Sequence, residues 1–410
     1  MLKIRATLPI AALQGDMLQL MKEHDVLVVC GETGSGKTTQ VPQFILDDMI
    51  ESGNGAYCNI VCTQPRRIAA ISVAERVADE RCEPSPGSDG SLIGYQVRLD
   101  SARNEKTRLL FCTTGILLRK LMGDQSLSSI THIIVDEVHE RSLLGDFLLI
   151  VLKNIIEKQS TKSSGKLKII LMSATVDSSL FSRYFSNCPV VTAEGRTHPV
   201  TSYFLEDIYD QLEYRLASDS PASLTNGIFP KRQRDVVTNN RGKKNLVLSA
   251  WGDESLLSEE HVNPYFVPSY YQLYSEQTQQ NMKRLNEDVI DYDLLEDLIC
   301  FIDETCDEGA ILVFLPGMSE INCLHDKLVA SCQFGGPSSE WVIPLHSSVA
   351  SSEQKRVFLR PPGNIRKVVI ATNIAETSIT IDDVIYVIDC GKHKENRYNP
   401  QKVWFLSYLL

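Results

Sequence analysis

The sequence predicts an α/β protein built from parallel sheets flanked by helices, and three observations carry that prediction. Short runs dominated by apolar and β-branched residues, such as Val26–Cys30 and Lys168–Met172, lack the alternation of a half-exposed strand, which suits strands buried on both faces. Helix-compatible stretches separate most of these runs. The polar clusters follow directly on the runs, at what become the carboxyl ends of strands, where open α/β sheets collect their chemistry.

From Arg5 to about Phe204 the rhythm of strand, loop and helix repeats. Strands are expected at Val26–Cys30, Asn59–Thr63, Ser91–Val97, Arg108–Cys112, His132–Val135, Lys168–Met172 and Val190–Thr192. Between about Glu206 and Asp288 the rhythm stops. SDSPASLTNG, PKRQRDVVTNNRGKKN and YSEQTQQNMKRLN are polar, charged and turn-rich, and read as a partly disordered linker or insert. Its basic residues Lys231, Arg232, Arg234, Arg241, Lys243 and Lys244 are either a contact for RNA or a ribosome-like partner or, as such runs more often are, simply solvated. From Tyr292 a second α/β unit begins, with DLLEDLICFIDET as an amphipathic helix and ILVFLPG, VIPLHSS and RKVVIATNI as strands with their loops. The expected division is therefore 1–205, a linker 206–288, and 289–410.

A length of 410 residues fits two or three domains, and 43% hydrophobic with 23% charged residues is enough for sizeable cores. The net charge of −11 argues against a protein coated in basic surface, although a local basic groove can hold phosphates on an acidic protein. Eleven cysteines without CxxC pairs or regular spacing disfavour a disulfide scaffold or a zinc site and fit a reducing compartment. No run approaches the length of a membrane span, and MLKIRATLPIAAL lacks a signal-peptide layout, so no membrane partner and a cytoplasmic location are expected. A nuclear or organellar location is the alternative, should a targeting segment precede Met1.

The strongest motif is Gly31-Glu32-Thr33-Gly34-Ser35-Gly36-Lys37-Thr38, followed by Thr39 and a helix-compatible run to Ile50. Glycines at this spacing let successive backbone N–H groups curl around a phosphate chain, and the helix adds its positive end to the same anion. Lys37 is expected to reach the β- and γ-phosphates of ATP and Thr38 to hold Mg²⁺. About a hundred residues on, Asp136-Glu137-Val138-His139 follows a buried strand. Asp136 there suits a second Mg²⁺ anchor and Glu137 a general base for the attacking water, with His139 closing the catalytic group. Acids capping the next helix are the competing reading, outweighed by the glycine motif upstream.

Together with TQPRRIAA at Thr63–Ala70, TTGILLR at Thr113–Arg119 and SAT at Ser173–Thr175, these motifs resemble the DEAH/RHA group of superfamily 2 helicases. The resemblance continues through GRTHPV at Gly195–Val200, ILVFLPG at Ile311–Gly317, LHSS at Leu345–Ser348 and ATNIAETSITID at Ala371–Asp382, with Val138 where Ala is more usual. It implies two RecA-like lobes with ATP in the cleft between them, RNA across their tops, and ATP-driven RNA unwinding or ribonucleoprotein remodelling. Arg66, Arg67, Thr113, Thr114, Arg119, Ser347, Thr372, Asn373 and Thr377 become candidate RNA-backbone contacts, since hydroxyls and arginines hold phosphates without reading bases. Taken alone, Arg66 and Arg67 read equally as a solvated helix start. The resemblance gives Arg76 and Phe358 the two faces of a base sandwich, against a surface salt bridge and core packing respectively. It places Asp382 near the ribose or γ-phosphate, and makes Ser173 and Thr175 a link between phosphate and RNA sites, with a strand-end cap as the alternative. The segment NLVLSAWGDESLLSEEHVNPYF bears a weaker likeness to the translation-initiation branch, which suggests ribosomal or ribonucleoprotein partners.

One departure stands out. The family pattern expects a QRRGRAGR segment soon after Tyr398-Asn399-Pro400, where arginines complete the site at a gain of about 10³–10⁵ in rate in related enzymes. Here the chain runs through VWFLSYLL to Leu410, so the second lobe is expected to be incomplete with strands left unpaired, hydrolysis impaired, and the apolar tail an aggregation hazard. A truncated, non-catalytic RNA- or partner-binding form is the alternative function.

Overall fold

The computed structural model describes residues 5–32, 34–123, 129–159, 166–174, 178–195, 199–224, 262–376, 381–399 and 404–409. The chain forms two compact units, one of Met1–Pro199 with Leu345–Leu359 and Ala371–Asp382, the other of Val200–Pro344 with Arg360–Ile370 and Asp383–Leu410.

The first unit holds strands β1 (Val26–Gly31), β2 (Ile60–Gln64), β3 (Ile93–Val97), β4 (Asp100–Ala102), β5 (Leu109–Thr113), β6 (His132–Val135), β7 (Lys168–Ser173) and β8 (Val190–Ala193) in one sheet of order β4-β3-β5-β2-β6-β7-β1-β8. The paired strands run parallel except β3 and β4, which are antiparallel. The two-residue period of a strand divides each run between two cores. Leu27, Val29, Ile60, Cys62, Phe111, Ile134, Ile170 and Met172 face one cluster. Val28, Cys30, Val61, Cys112, Ile133, Val135, Ile169 and Leu171 face the other. Helices Gln14–Glu23, Lys37–Glu51 and Arg67–Glu80 cover the first face through Met17, Val41, Phe44, Ala70 and Val77. Thr114–Gly123, Leu143–Gln159 and Ser178–Tyr184 cover the second through Leu117, Leu148, Leu152 and Phe181. Burial on both faces explains why the strands read as continuous apolar runs.

Because β5, β2, β6, β7 and β1 are parallel neighbours, their carboxyl ends form one edge. Along it stand Thr113, Gln64, then Asp136 just beyond β6, Ser173 and Gly31, in that order. Residues scattered over some 140 positions are thereby brought together.

In the second unit, β9 (Ala310–Phe314), β10 (Val342–Leu345), β11 (Val368–Ala371) and β12 (Val384–Asp389) form a smaller sheet of order β10-β11-β9-β12. Helices Tyr292–Thr305 and Met318–Ala330 pack Leu295, Ile299, Ile302, Ile321, Leu324 and Leu328 onto Ile311, Val313, Val368 and Ile370. Arg366 closes the end of the first of these helices. Its guanidinium donates to the carbonyls of Ile302, Asp303, Cys306, Asp307 and Gly309 at 2.7–3.3 Å, and to Asp303 Oδ1 at 3.1 Å. The Asp303 carbonyl is one of those that a helix end leaves without backbone partners, the carbonyls of Cys306, Asp307 and Gly309 belong to the turn beyond it, and the Ile302 carbonyl also accepts the Cys306 N–H. β12 was not singled out from sequence, although Val384–Ile388 is a continuous apolar run, and Ile385 and Val387 on one of its faces are exposed.

The stretch read as a linker carries helices Leu205–Gln211 and Glu276–Arg284 near its two ends, joined through Tyr209, Met282 and Leu285 to Leu294. The basic cluster Lys231–Lys244 and most of NLVLSAWGDESLLSEEHVNPYF lie outside the described residues. The apolar tail forms a strand within a separate two-stranded sheet. β14 (Trp404–Leu409) pairs antiparallel with β13 (Lys394–Asn399), Tyr398 opposite Phe405. An apolar strand lowers its exposed backbone polarity by pairing with the nearest free edge, here its own hairpin partner. Among the described residues no helix is long and apolar enough to cross a membrane.

Candidate active site

The turn after β1 is a cradle. Gly34 (φ 81°) and Gly36 (φ 89°) are left-handed, a backbone that side chains rarely adopt, and Gly36 is the N-cap of the helix that begins at Lys37. A Cβ on Gly36 would meet Leu8 Cδ1 at 2.9 Å, the movable end of a side chain, so it is the left-handed backbone that chiefly demands glycine there, whereas Gly34 opens onto free space. On the far side of the turn, Gly195 lies so close to Glu32 that any side chain there would collide with it. Lys37 is only 5% exposed, with no hydrogen-bond or ion-pair partner among the described residues. The buried Ser35 hydroxyl likewise has none. A buried cation and an orphaned hydroxyl at a helix N-terminus are costly unless an anion completes them. Thr38 is half-buried, while the Thr39 hydroxyl is spent inside the helix, donating to the Gly36 carbonyl at 3.3 Å and accepting from Gln40 at 2.8 Å. Thr33 lies outside the described residues.

Two strands along, Asp136 is 4% and Glu137 8% exposed. Asp136 accepts at both carboxylate oxygens, from Gln64 Nε2 at 2.8 Å and from the Glu137 N–H at 2.9 Å. Glu137 has left-handed backbone (φ 54°), as does Arg141 (φ 49°), a conformation costing about 1–2 kcal/mol for a residue with a side chain. Burial, and then the charge of Asp136, push the Glu137 carboxyl well above the usual carboxylate range, with Lys37 opposing them. Glu137 Oε2 is buried without a partner. A divalent cation at Asp136 would answer that excess of negative charge, so the residues fit ATP with Mg²⁺. The described residues contain no cluster of three or more protein ligands, and phosphate and water would supply the rest of the coordination shell.

His139 faces the same group. Its Nδ1 accepts the Ala174 N–H at 3.1 Å and lies 3.5 Å from Glu137 Oε2. Ser173, fully buried at the end of β7, precedes Ala174, and Thr175 lies outside the described residues. The acidic loop and the SAT segment are thus joined through a backbone N–H, a link no side-chain motif announces.

The arginines after β2 divide. Arg66 turns toward the acidic loop, its Nη2 3.7 Å from Glu140 Oε2 and its buried Nε unpartnered, whereas Arg67 begins the next helix exposed. Arg76 is held by Glu80 at 2.8 Å, and the other Glu80 oxygen accepts from Gln40 and Gln43 at 2.7 and 2.9 Å. Thr113, at the end of β5, is the parallel neighbour of Gln64; Thr114 is buried and Arg119 exposed on the helix that follows. In the other candidate segments, Ser347, Asn373 and Asp382 are exposed, Thr372 is buried, and Phe358 is 39% exposed rather than packed in a core. Thr377 lies outside the described residues. Ala174, Glu140 and Gln64 are not among the residues the sequence singles out, yet the Gln64 amide points to the acids, the Ala174 N–H holds His139, and Glu140 faces Arg66.

Residues 12–181 match the DEAD/DEAH box helicase family, and residues 291–404 match the helicase conserved C-terminal domain. The chain is 66% identical over 403 residues to "DExH-box ATP-dependent RNA helicase DExH4, chloroplastic" of Arabidopsis thaliana, covering 98% of this chain and 27% of that protein. It is 44% identical over 405 residues to "ATP-dependent RNA helicase DHX29" of Mus musculus, covering 97% and 29%. It is also 44% identical over 395 residues to "DExH-box ATP-dependent RNA helicase DExH1" of Arabidopsis thaliana, covering 96% and 37%. The chain therefore spans between 27% and 37% of the length of these relatives. Two helicase regions matched in order, over a sheet whose edge carries the glycine cradle and the Asp-Glu-Val-His loop, make this chain a member of the DExH-box helicase family.

Proposed function

We propose that the chain is the motor core of an ATP-dependent RNA helicase that couples hydrolysis to RNA unwinding or to remodelling of ribonucleoprotein. The observation that carries this reading is the buried, unpartnered Lys37 in the same electrostatic neighbourhood as Glu137 and His139. In this reading the backbone N–H groups of Gly34 to Lys37 bind the phosphates and the Lys37 ammonium offsets their charge. Thr38 and Asp136 would hold Mg²⁺, which when bound neutralises charge across the β- and γ-phosphates. Glu137 Oε2, free of other hydrogen bonds, takes the proton of the attacking water. His139, anchored to the Ala174 N–H, ties the acidic loop to the strand end beyond β7.

Arg67, Thr113, Arg119, Ser347, Asn373 and Thr377 are proposed to hold the RNA backbone by contacts that do not read bases. Arg76, Phe358 and Asp382 are assigned to the nucleotide. A ribosomal or ribonucleoprotein partner extends the reading, since the relatives' names give RNA alone. The cytoplasm is the proposed location; an organelle is the alternative, supported by the chloroplastic name of one relative, and a fluorescent fusion of the full-length protein separates the two. The functional test is phosphate release by the full-length protein with and without single-stranded RNA, and with a DNA strand of matched sequence. RNA-stimulated release exceeding that with DNA is expected. Release indifferent to either strand would overturn the helicase reading.

A further inference from the structure

Gln64 is the last residue of β2 and 1% exposed. Its Nε2 donates to Asp136 Oδ2 at 2.8 Å, while Asp136 Oδ1 accepts the Glu137 N–H at 2.9 Å. The Asp136 N–H is tied to the Thr63 carbonyl at 3.2 Å, so the residue is gripped at backbone and at both carboxylate oxygens. A carboxylate oxygen can accept more than one hydrogen bond. Fixing one donor on each oxygen sets the plane of the carboxylate and leaves its remaining lone pairs aimed in a defined direction. Three residues after Gln64 the chain starts a helix at Arg67; between them, Pro65 restricts the backbone and Arg66 reaches Glu140 at 3.7 Å. The span Gln64–Arg67 thus holds the acidic loop at two points, Asp136 and Glu140, and presents Arg67 to solvent.

We propose that Gln64 is a positioning residue: it orients the Asp136 carboxylate for a metal ion, and links that orientation to whatever occupies the arginines that follow it. The inference rests on the nucleotide reading above and adds to it a route by which a polyanion at Arg66 and Arg67 alters metal binding at Asp136. Were Gln64 merely filling space, an apolar side chain of equal length would serve. Were it merely satisfying a buried acid, its loss would lower stability without changing how metal and polyanion affect one another. Partners that orient a metal-binding group typically contribute 10–100-fold to metal affinity.

The experiment compares the full-length protein with its Gln64→Met and Gln64→Ala variants by titrating fluorescent ADP in EDTA, then in rising Mg²⁺, then in rising Mg²⁺ with a single-stranded RNA oligonucleotide. Thermal melting establishes that each variant is folded, and Gln64→Met, which keeps the volume, guards against collapse in Gln64→Ala. Metal-free ADP affinity is expected to stay within about 2-fold, because the glycine cradle is untouched. The Mg²⁺ concentration giving half of the metal-dependent change in ADP binding should rise about 10-fold or more in both variants. The RNA-induced shift of that concentration, present in the wild type, should vanish. A Gln64→Met variant with wild-type Mg²⁺ response, or with the RNA-induced shift intact, overturns the inference. A wild-type protein that binds no ADP in either condition overturns the nucleotide reading itself, and this inference with it.

Discussion

The Ala174 N–H donates to His139 Nδ1 across 3.1 Å, and that bond settles which ring nitrogen carries the proton. Nδ1 is the acceptor, so in the neutral ring the proton is on Nε2. Burial, followed by the Lys37 charge, holds the imidazole below its ordinary pKa and favours that neutral form. Nδ1 therefore cannot also donate to Glu137 Oε2 at 3.5 Å, consistent with that oxygen being unpartnered. His139→Ala removes the acceptor of a half-buried N–H and should lower stability by about 1 kcal/mol in urea denaturation. Metal-free ADP affinity should stay within about 2-fold, because nothing in the cradle depends on the imidazole. Unchanged stability would mean that Ala174 has no need of His139.

His132 predicts the acid limit of the first unit. Its ring is buried in β6 beside Lys168, and burial, with the Lys168 charge second, pulls its pKa down to about 4 from about 6.5. Below pH 6.5 the unfolded chain takes up a proton that the folded chain refuses, so stability falls as pH drops from about 6.5 to about 4 and this contribution is fully present only above that window. The full effect is of the order of 3 kcal/mol. A His132→Phe variant should show a shallower loss of stability across the window, followed by denaturant midpoints at several pH values. An identical slope in the two proteins would refute the assignment.

Arg366 gives the second unit its sharpest single point of failure. Arg366→Ala takes away the guanidinium that the Asp303 and Cys306 carbonyls at the helix end and the Gly309 carbonyl beyond it accept from, and the expected loss is about 2–4 kcal/mol in chemical denaturation of that unit. A loss below about 0.5 kcal/mol would show that water replaces the guanidinium without cost.

Gly36→Ala combines a left-handed backbone at φ 89° with a Cβ contact to Leu8 at 2.9 Å. A stability loss of about 1–2 kcal/mol is expected from the backbone alone. ADP affinity should fall as well, since the N–H groups that line the turn move with it. Wild-type ADP affinity in a folded variant would show that the turn does not form the phosphate cradle.

The glycine cradle and the Asp-Glu-Val-His loop were legible because each is contiguous in the chain, and the parallel strands before them because burial on both faces leaves a continuous apolar run. What decides how those groups work was not legible. Gln64 and Asp136 are 72 positions apart and meet only because β2 and β6 are neighbours in the sheet. The Ala174 N–H carries no side-chain signature at all. β4, three residues long, is too short to show the strand period, whereas β12 was passed over although Val384–Ile388 is a continuous apolar run. The helix Glu276–Arg284 hides in a polar stretch because Met282 is its one large apolar residue. Phe358 went the other way: its aromatic ring suggested core packing as the simpler fate, and it stands 39% exposed.

The account turns on Lys37 and Glu137 serving one triphosphate, and calorimetric titration of Mg–ATP into the wild type, Lys37→Ala and Glu137→Gln tests that most directly. Lys37→Ala should weaken binding by at least about 10-fold, the value of a lost charge-assisted hydrogen bond, while Glu137→Gln binds about as well as the wild type. Equal affinity for wild type and Lys37→Ala would contradict it.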